Sequence, residues 1–230
     1  MFLLIGDHSG LAIPKNLADL GLSKEERERH IGWDIGVAGL GRALATRLDA
    51  TLIEQAYSRL VIDCNRDPEA PDAAPEVSDG TVIPGNSGLD AAARADRAAA
   101  IHAPYHAAIA DLLDARGAAG RPTILVALHS FTPVFGGVAR PWHVGVLHDA
   151  GDTRFARAVL ARLAAEPDLV VGDNAPYRMD ATDHTVPRHC YPRGLPYLEL
   201  EVRQDLIVDA EGQRLWAERL AGIFAGAAED

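Results

Sequence analysis

Four short stretches of the chain carry residue types that can do hydrolytic chemistry together. Asp7-His8-Ser9-Gly10 follows a first apolar run, Cys64-Asn65-Arg66-Asp67 follows LVID, His129-Ser130 follows TILVAL, and Glu199 and Glu201 sit two apart on YLELEVRQ. Imidazoles can hold a divalent metal, a carboxylate can act as base toward water, and a guanidinium can fix an anionic substrate. Such a set is what metal-assisted hydrolysis needs. Each also has a plainer reading. A histidine at a strand end is more often hydrogen-bonded structure than a ligand. The Asn65-Arg66 pair could cap a loop and bridge Asp63 or Asp67, and two glutamates on a wet strand face are ordinary surface charge.

For these stretches to converge, their strands must be neighbours in one sheet. Apolar runs and alternation predict strands at residues 2–6, 51–55, 60–64, 123–128, 142–147, 169–171 and 197–202. Helical spacing predicts helices at 35–48, at 90–116 with a break near Pro104, from Asp152 to about 165, and at 213–228. A shorter helix should start at Ser23, an N-cap type followed by Glu25 and Glu26. Strands alternating with helices point to one α/β domain with a mostly parallel or mixed central sheet and helices on both faces. In such sheets, sites form where the carboxyl ends of strands meet the loops that follow. Glu199 and Glu201 share one face of their strand, and Arg203 continues it. Residues 65–89 are rich in Pro, Gly, Asp and Ser, and a loop of that length in a compact domain is commonly functional.

Composition narrows the function classes. The chain has 230 residues and a formal net charge of −11, with its arginines scattered, which argues against a nucleic-acid binder. No apolar run approaches the ~18 residues a membrane-spanning helix needs. MFLLIGDHSG lacks a basic start, so it reads as a buried first strand rather than a signal peptide. Cys64 and Cys190 are far apart and form no CxxC pair, so a cytoplasmic protein without a disulfide framework is expected. His102, His106, His143, His148 and His184 are expected to be structural or exposed, and Trp33, Trp142 and Trp216 to serve packing.

Eight strings carry a family resemblance, in this order along nearly the whole chain: HSGLAIP (8–14), HIGWDIG (30–36), YSRLVIDCNRDP (57–68), SDGTVIPGN (78–86), PYHAAI (104–109), LHSFTPVFGGVARPWHVGVL (128–147), VGDNAPY (171–177) and RGLPYLELEVRQDLI (193–207). Together they resemble the N-formylglutamate amidohydrolase family, which is related in fold to the zinc carboxypeptidases. The resemblance implies a zinc, or other divalent metal, on an α/β sheet. His8 matches the first histidine ligand and His129 the later one. Carboxypeptidase-like enzymes place a glutamate three residues after the first histidine, and here that position is Leu11. Asp34 in HIGWDIG is the candidate for the acidic ligand, with Asp7 and His30 as alternatives. Asn65 and Arg66 match the pair that binds a substrate carboxylate, a task suited to a planar guanidinium. Glu201 matches the catalytic glutamate, with Glu199 as its fallback on the same face. Arg59, Arg140, Arg193, Arg203 and His189 are further candidates for carboxylate or oxyanion contacts.

The reaction implied is hydrolysis of a small N-acyl amino acid bearing a carboxylate. N-formyl-L-glutamate leads the substrates, giving formate and glutamate and linking the enzyme to histidine breakdown. Two alternatives stay open. One is a hydrolase for another N-acyl amino acid or a small peptide, which would need a deeper acyl pocket. The other is a non-catalytic module that binds acidic metabolites and lacks a full ligand set. Oligomeric state is not readable from the sequence.

Overall fold

The computed structural model describes residues 1–229. Ten strands occur in chain order: β1 (Phe2–Gly6), β2 (Thr51–Glu54), β3 (Val77–Ser78), β4 (Thr81–Val82), β5 (Ile124–Phe131), β6 (Val134–Phe135), β7 (Val138–Ala139), β8 (Val144–Leu147), β9 (Val171–Asp173) and β10 (Tyr197–Arg203). The α-helices are α1 (Lys24–Arg27), α2 (Val37–Leu48), α3 (Ala91–Arg97), α4 (Ala103–Ala118), α5 (Arg154–Ala164), α6 (Thr185–His189) and α7 (Ala210–Ala227). Six strands form the central sheet, in the order β2-β1-β5-β10-β8-β9, and two small hairpins pair β3 with β4 and β6 with β7. The first four strands of that order are parallel, and β8 joins β10 antiparallel, so the sheet is mixed but mostly parallel.

Side-chain alternation along the central strands separates two cores. Leu4, Val126, Leu128, Leu198, Leu200 and Val202 pack with α2, α5 and α7 on one face. Leu3, Ile5, Leu125, Ala127 and Tyr197 pack on the other, with α4 and α6. Burying each large aliphatic side chain stabilises the fold by roughly 1.5–3 kcal/mol, so the first face carries an uninterrupted apolar seam along β10. The second face changes character toward the carboxyl ends of the strands. Leu3 and Ile5 give way to Asp7, Leu125 and Ala127 to His129, and Tyr197 to Glu199 and Glu201. That change from core to polar groups happens on three adjacent strands, beside the crevice where the chain winds outward from β1 to β2 on one side and to β5 on the other.

Three expectations about local structure need correction. Residues 60–64 are buried but form turns, not a strand. Just before them the chain crosses back over the strand ends, with Gln55 N–H donating to Gly6 O and Ser58 N–H to Ala12 O, and this carries LVID off the sheet edge. The helical stretch from Ala91 is not broken at Pro104. It widens into a π-helical turn at Ala98–His102 and continues as α4, whose second residue is Pro104. The residue preceding α5 is Thr153, not Asp152, whose carboxylate instead accepts from the Arg154 N–H. The Ser23 start is as expected, a capping box closed by Glu26. No helix among the described residues is long and apolar enough to cross a membrane.

Candidate active site

His8 leaves the end of β1, and His129 lies inside β5, which runs three residues further than the apolar run suggests. Asp34 comes from the loop before α2. It is docked between the two strands because its N–H donates to His8 O, while the Ser130 hydroxyl donates to Ile35 O. Gly36 then starts α2 with φ of 86°, where a side chain would run into the Ile207 carbonyl. These backbone bonds bring the Asp34 carboxylate between the histidines. Its Oδ2 lies 3.3 Å from His8 Nδ1 and 3.0 Å from His129 Nδ1. One ligand atom from each of the three residues lies within 4.8 Å of the other two.

The outer nitrogens of both rings face further carboxylates. His8 Nε2 is 2.7 Å from Asp63 Oδ1, and His129 Nε2 is 3.4 Å from Asp7 Oδ2. Each Nδ1 donates to the Asp34 carboxylate, which only accepts, and a divalent cation would take the place of those protons while Asp63 holds the His8 ring from its far nitrogen, as carboxylates do around metal-ligating histidines. The three residues therefore fit a divalent cation in donor type and spacing, and they form a candidate metal-binding group. Burial works against the charge on the Asp34 carboxyl, but His8 and His129 outweigh it and hold the group well below the usual range. Burial likewise opposes charge on His129, yet Asp34 and Asp7 hold its pKa well above the ordinary imidazole value.

Glu201 and Glu199 complete the strand-end set. Both are buried, at 7% and 2% exposure, and one carboxylate oxygen of each has no hydrogen-bond partner among the described residues. Burial pushes Glu199 up to about 8 and Glu201 to about 7, partly offset by the nearby His129. A cavity of about 500 Å³ opens over these groups and is lined also by Tyr177, Arg178 and Asp183. A second cavity of about 260 Å³ adjoins it and shares His30, Arg59 and Arg66.

The expected cations fall into three groups. Arg66 lines the cavity, with its Nε on Asp72 and one Nη on the carbonyls of Asn65 and Thr182. Arg59 also lines it but is committed to Asp63 through two nitrogens, with Asp34 3.5 Å away. Asn65 is turned to the loop before α6, where its Oδ1 accepts the His184 and Thr185 N–H groups. Arg140 and Arg203 do not line the cavity. Arg140 is drawn aside by the Phe131, Phe135 and Tyr177 rings and donates to the Tyr177 hydroxyl. Arg203 lies at the very end of β10 and is turned onto Asp205 and the Trp142 carbonyl. Arg193 is held by Asp114 on α4, remote from the cavity lining. His30 lines the rim beside Asp79.

Sequence reasoning missed three features. Asp63 supports His8 directly. It sits two residues before Asn65, and a carboxylate next to a predicted site loop was the available signal. Arg178 lines the cavity with no hydrogen bond or ion pair among the described residues, and nothing in its local sequence marks it. The third is a group of histidines, His102, His106 and His184, set aside above as structural or exposed. They lie together behind the Asn65 loop.

Histidines, carboxylates and guanidinium groups gathered in a cleft at the carboxyl ends of a mostly parallel sheet define an amidohydrolase-class α/β enzyme. The chain belongs to the N-formylglutamate amidohydrolase family, whose sequence model matches residues 1–208. Among solved structures it is similar to the gene product Atu2144 from Agrobacterium tumefaciens, at 40% identity over 99% of this chain and 90% of that one, with a TM-score of 0.95. The N-formylglutamate amidohydrolase from Ralstonia eutropha JMP134 shares the fold, at 24% identity over 99% of this chain and 92% of that one, with a TM-score of 0.67. No curated relative matches the chain.

Proposed function

We propose that this chain hydrolyses a small N-acyl amino acid carrying free carboxylates, with N-formyl-L-glutamate as the leading substrate, and that zinc or another divalent metal is held by His8, Asp34 and His129. The observation that carries this reading is Asp34 Oδ2 placed 3.0 and 3.3 Å from the inward nitrogens of the two histidines, with Glu201 paired beside His129 in the sheet. A divalent cation in that group supplies a Lewis acid for the amide carbonyl and makes water more acidic.

Glu201 takes the proton from the attacking water and later gives it to the leaving amine nitrogen. Burial raises the Glu201 carboxyl and nearby positive charge lowers it, the two opposing influences that set a general base. Asp63 holds the His8 ring by its Nε2, and Asp7 supplies negative charge 3.4 Å from His129 Nε2. Arg66 and Arg178 offer two guanidinium groups to the cavity, a match for a substrate with two carboxylates. Asn65 borders the cavity but acts as a positioning residue, because its Oδ1 is taken by the N–H groups of His184 and Thr185. Arg59 is saturated by Asp63 and Asp34, so it balances their charge instead of gripping substrate.

One observation favours a second reading on the same apparatus. The adjoining cavities of about 500 and about 260 Å³ give more room than a one-carbon acyl group on glutamate requires. A longer N-acyl amino acid or a small peptide is the alternative. Release of formate from N-formyl-L-glutamate, measured beside release of acetate from N-acetyl-L-glutamate, separates them. Turnover of the acetyl compound alone would move the assignment to the alternative.

A further inference from the structure

Behind the candidate active site, four imidazoles from two elements meet. His102 ends the π-helical turn, and His106 follows one turn later on α4, four residues on and therefore on the same face. His184 immediately precedes α6 and His189 ends it. Ring centroids lie 4.3 Å apart for His102 and His106, 5.2 Å for His102 and His184, 5.0 Å for His106 and His184, and 5.2 Å for His106 and His189. One nitrogen from each of His102, His106 and His184 lies within 4.8 Å of the other two.

Their hydrogen bonds decide which nitrogens keep lone pairs. His102 Nε2 is 3.1 Å from the Arg66 carbonyl and His106 Nε2 is 2.9 Å from the Cys64 carbonyl. A carbonyl only accepts, so both rings carry their proton on Nε2 and both Nδ1 atoms are bare. His189 Nε2 donates to His106 Nδ1 at 2.9 Å. His184 Nε2 has no partner among the described residues. Burial also keeps these rings neutral, lowering His106 to about 3 and His189 to about 4. Neutral imidazoles whose far N–H groups are anchored on backbone carbonyls are the preparation that metal-ligating histidines show. A widened π-helical turn at the first of them is a feature that recurs at functional sites.

We infer that His102, His106 and His184 form a second metal site, distinct from the His8–Asp34–His129 group, for a borderline-soft divalent ion of the zinc or copper class. All-imidazole donors select that class over magnesium or calcium. An ion there takes the His106 lone pair that His189 now occupies. His189 Nε2 is close enough to join as a fourth ligand once its proton passes to Nδ1, which is buried without a partner among the described residues, since two nitrogens about 2.1 Å from one ion at a right angle lie roughly 3 Å apart. Asp7, Asp63 and Asp67 are the nearby acids and Arg188 and Arg193 the nearby cations. The site's role is structural. The two carbonyls that anchor the rings belong to Cys64 and Arg66, on either side of Asn65. The Asn65 side chain in turn holds the N–H groups of His184 and Thr185. A bound ion therefore clamps the loop that presents Arg66 to the cavity.

The test uses full-length protein with any affinity tag removed, dialysed against zinc and analysed for metal per chain. Two ions per chain are expected for the parent and one for His8→Ala/His129→Ala. In that double variant, added copper should give an electron paramagnetic resonance spectrum with nitrogen splitting from at least three imidazoles. His184→Gln sits at the half-buried start of a helix and leaves the buried rings in place. It should weaken the remaining ion by more than about 100-fold, beyond the effect of losing a supporting partner. Circular dichroism verifies that each variant is folded. A His8→Ala/His129→Ala protein that is folded but binds no ion, or whose copper spectrum lacks nitrogen splitting, would overturn the inference. So would undiminished affinity in a His184→Gln variant made on that background.

Discussion

Glu201 and His129 are direct neighbours in register on β10 and β5, both turned to the polar end of one sheet face. Parallel strands lie about 4.8 Å apart, so this pairing fixes a carboxylate beside an imidazole through backbone hydrogen bonds rather than through loop packing. Glu199 occupies the same face one step back, opposite Ala127. The two glutamates thus differ in what they adjoin, although their burial is similar.

That difference predicts a split between them. Glu201→Gln should lower kcat by about 100- to 10,000-fold, the usual contribution of a general base, with KM little changed. Glu199→Gln should retain most of the activity. Steady-state kinetics on both variants checks this, and the reverse ranking would hand the base role to Glu199.

Asp63 should matter through His8. Its carboxylate holds His8 Nε2 at 2.7 Å and also anchors Arg59 and the Asn65 N–H. Asp63→Asn should weaken zinc binding by about 10- to 100-fold, and excess zinc in the assay should restore much of the activity. Asp34→Asn should not be rescued in this way, because it removes a proposed ligand.

Arg66 and Arg178 should act on substrate binding. Removing one charged hydrogen-bond partner costs roughly 1.5–3 kcal/mol, so Arg66→Ala or Arg178→Ala should reduce kcat/KM by about 10- to 150-fold. A substrate with both carboxylates converted to amides should lose this sensitivity. Equal losses on charged and neutral substrates would mean that the arginines shape the cavity instead.

Glu199 also predicts a pH effect on metal-free protein. Its folded pKa of about 8 lies above the carboxyl value in an unfolded chain, because burial penalises the charged form. A raised folded pKa gives stability that is complete below the unfolded value and is lost as pH rises through about 8. In chelator-treated protein, Glu199→Gln should therefore match the parent's melting temperature near pH 4, below the unfolded value, and exceed it near pH 9. Each kcal/mol gained appears as about 2–4 °C in a domain of this size.

The two cysteines should be inert. Burial pushes Cys190 up to about 12 and raises Cys64 as well, and both are fully buried and free. At pH 8 a thiol with a pKa near 12 is about one part in ten thousand thiolate, the reactive form. Iodoacetamide at that pH should label neither residue in native protein and both in urea. Mass spectrometry reads the outcome.

From sequence alone, residue type and local periodicity marked the strands at both ends of the chain, the helices α2 and α7, and the strand-end histidines and glutamates as site candidates, while the resemblance of eight strings pointed to the family and, within it, to Glu201. These are short-range properties. An apolar run flanked by polar loops marks a buried strand wherever it ends up in the fold, and alternation states which side chains share a face. Tertiary structure alone decided which distant groups meet. Asp34 lies 26 residues from His8 and 95 from His129, and it reaches both only because its loop is hydrogen-bonded across the ends of β1 and β5. The same holds for residues 60–64, whose apolar pattern suits a strand but whose chain is carried off the sheet by the crossing at Gln55–Ser58. Arg203 has the right alternation for the site yet sits at the last residue of its strand, where Asp205 turns it aside. A pattern with period two gives the direction of a side chain, but not how far along the strand the cavity extends or which loop covers it. Those depend on contacts between segments that are remote in sequence, and no local pattern records them.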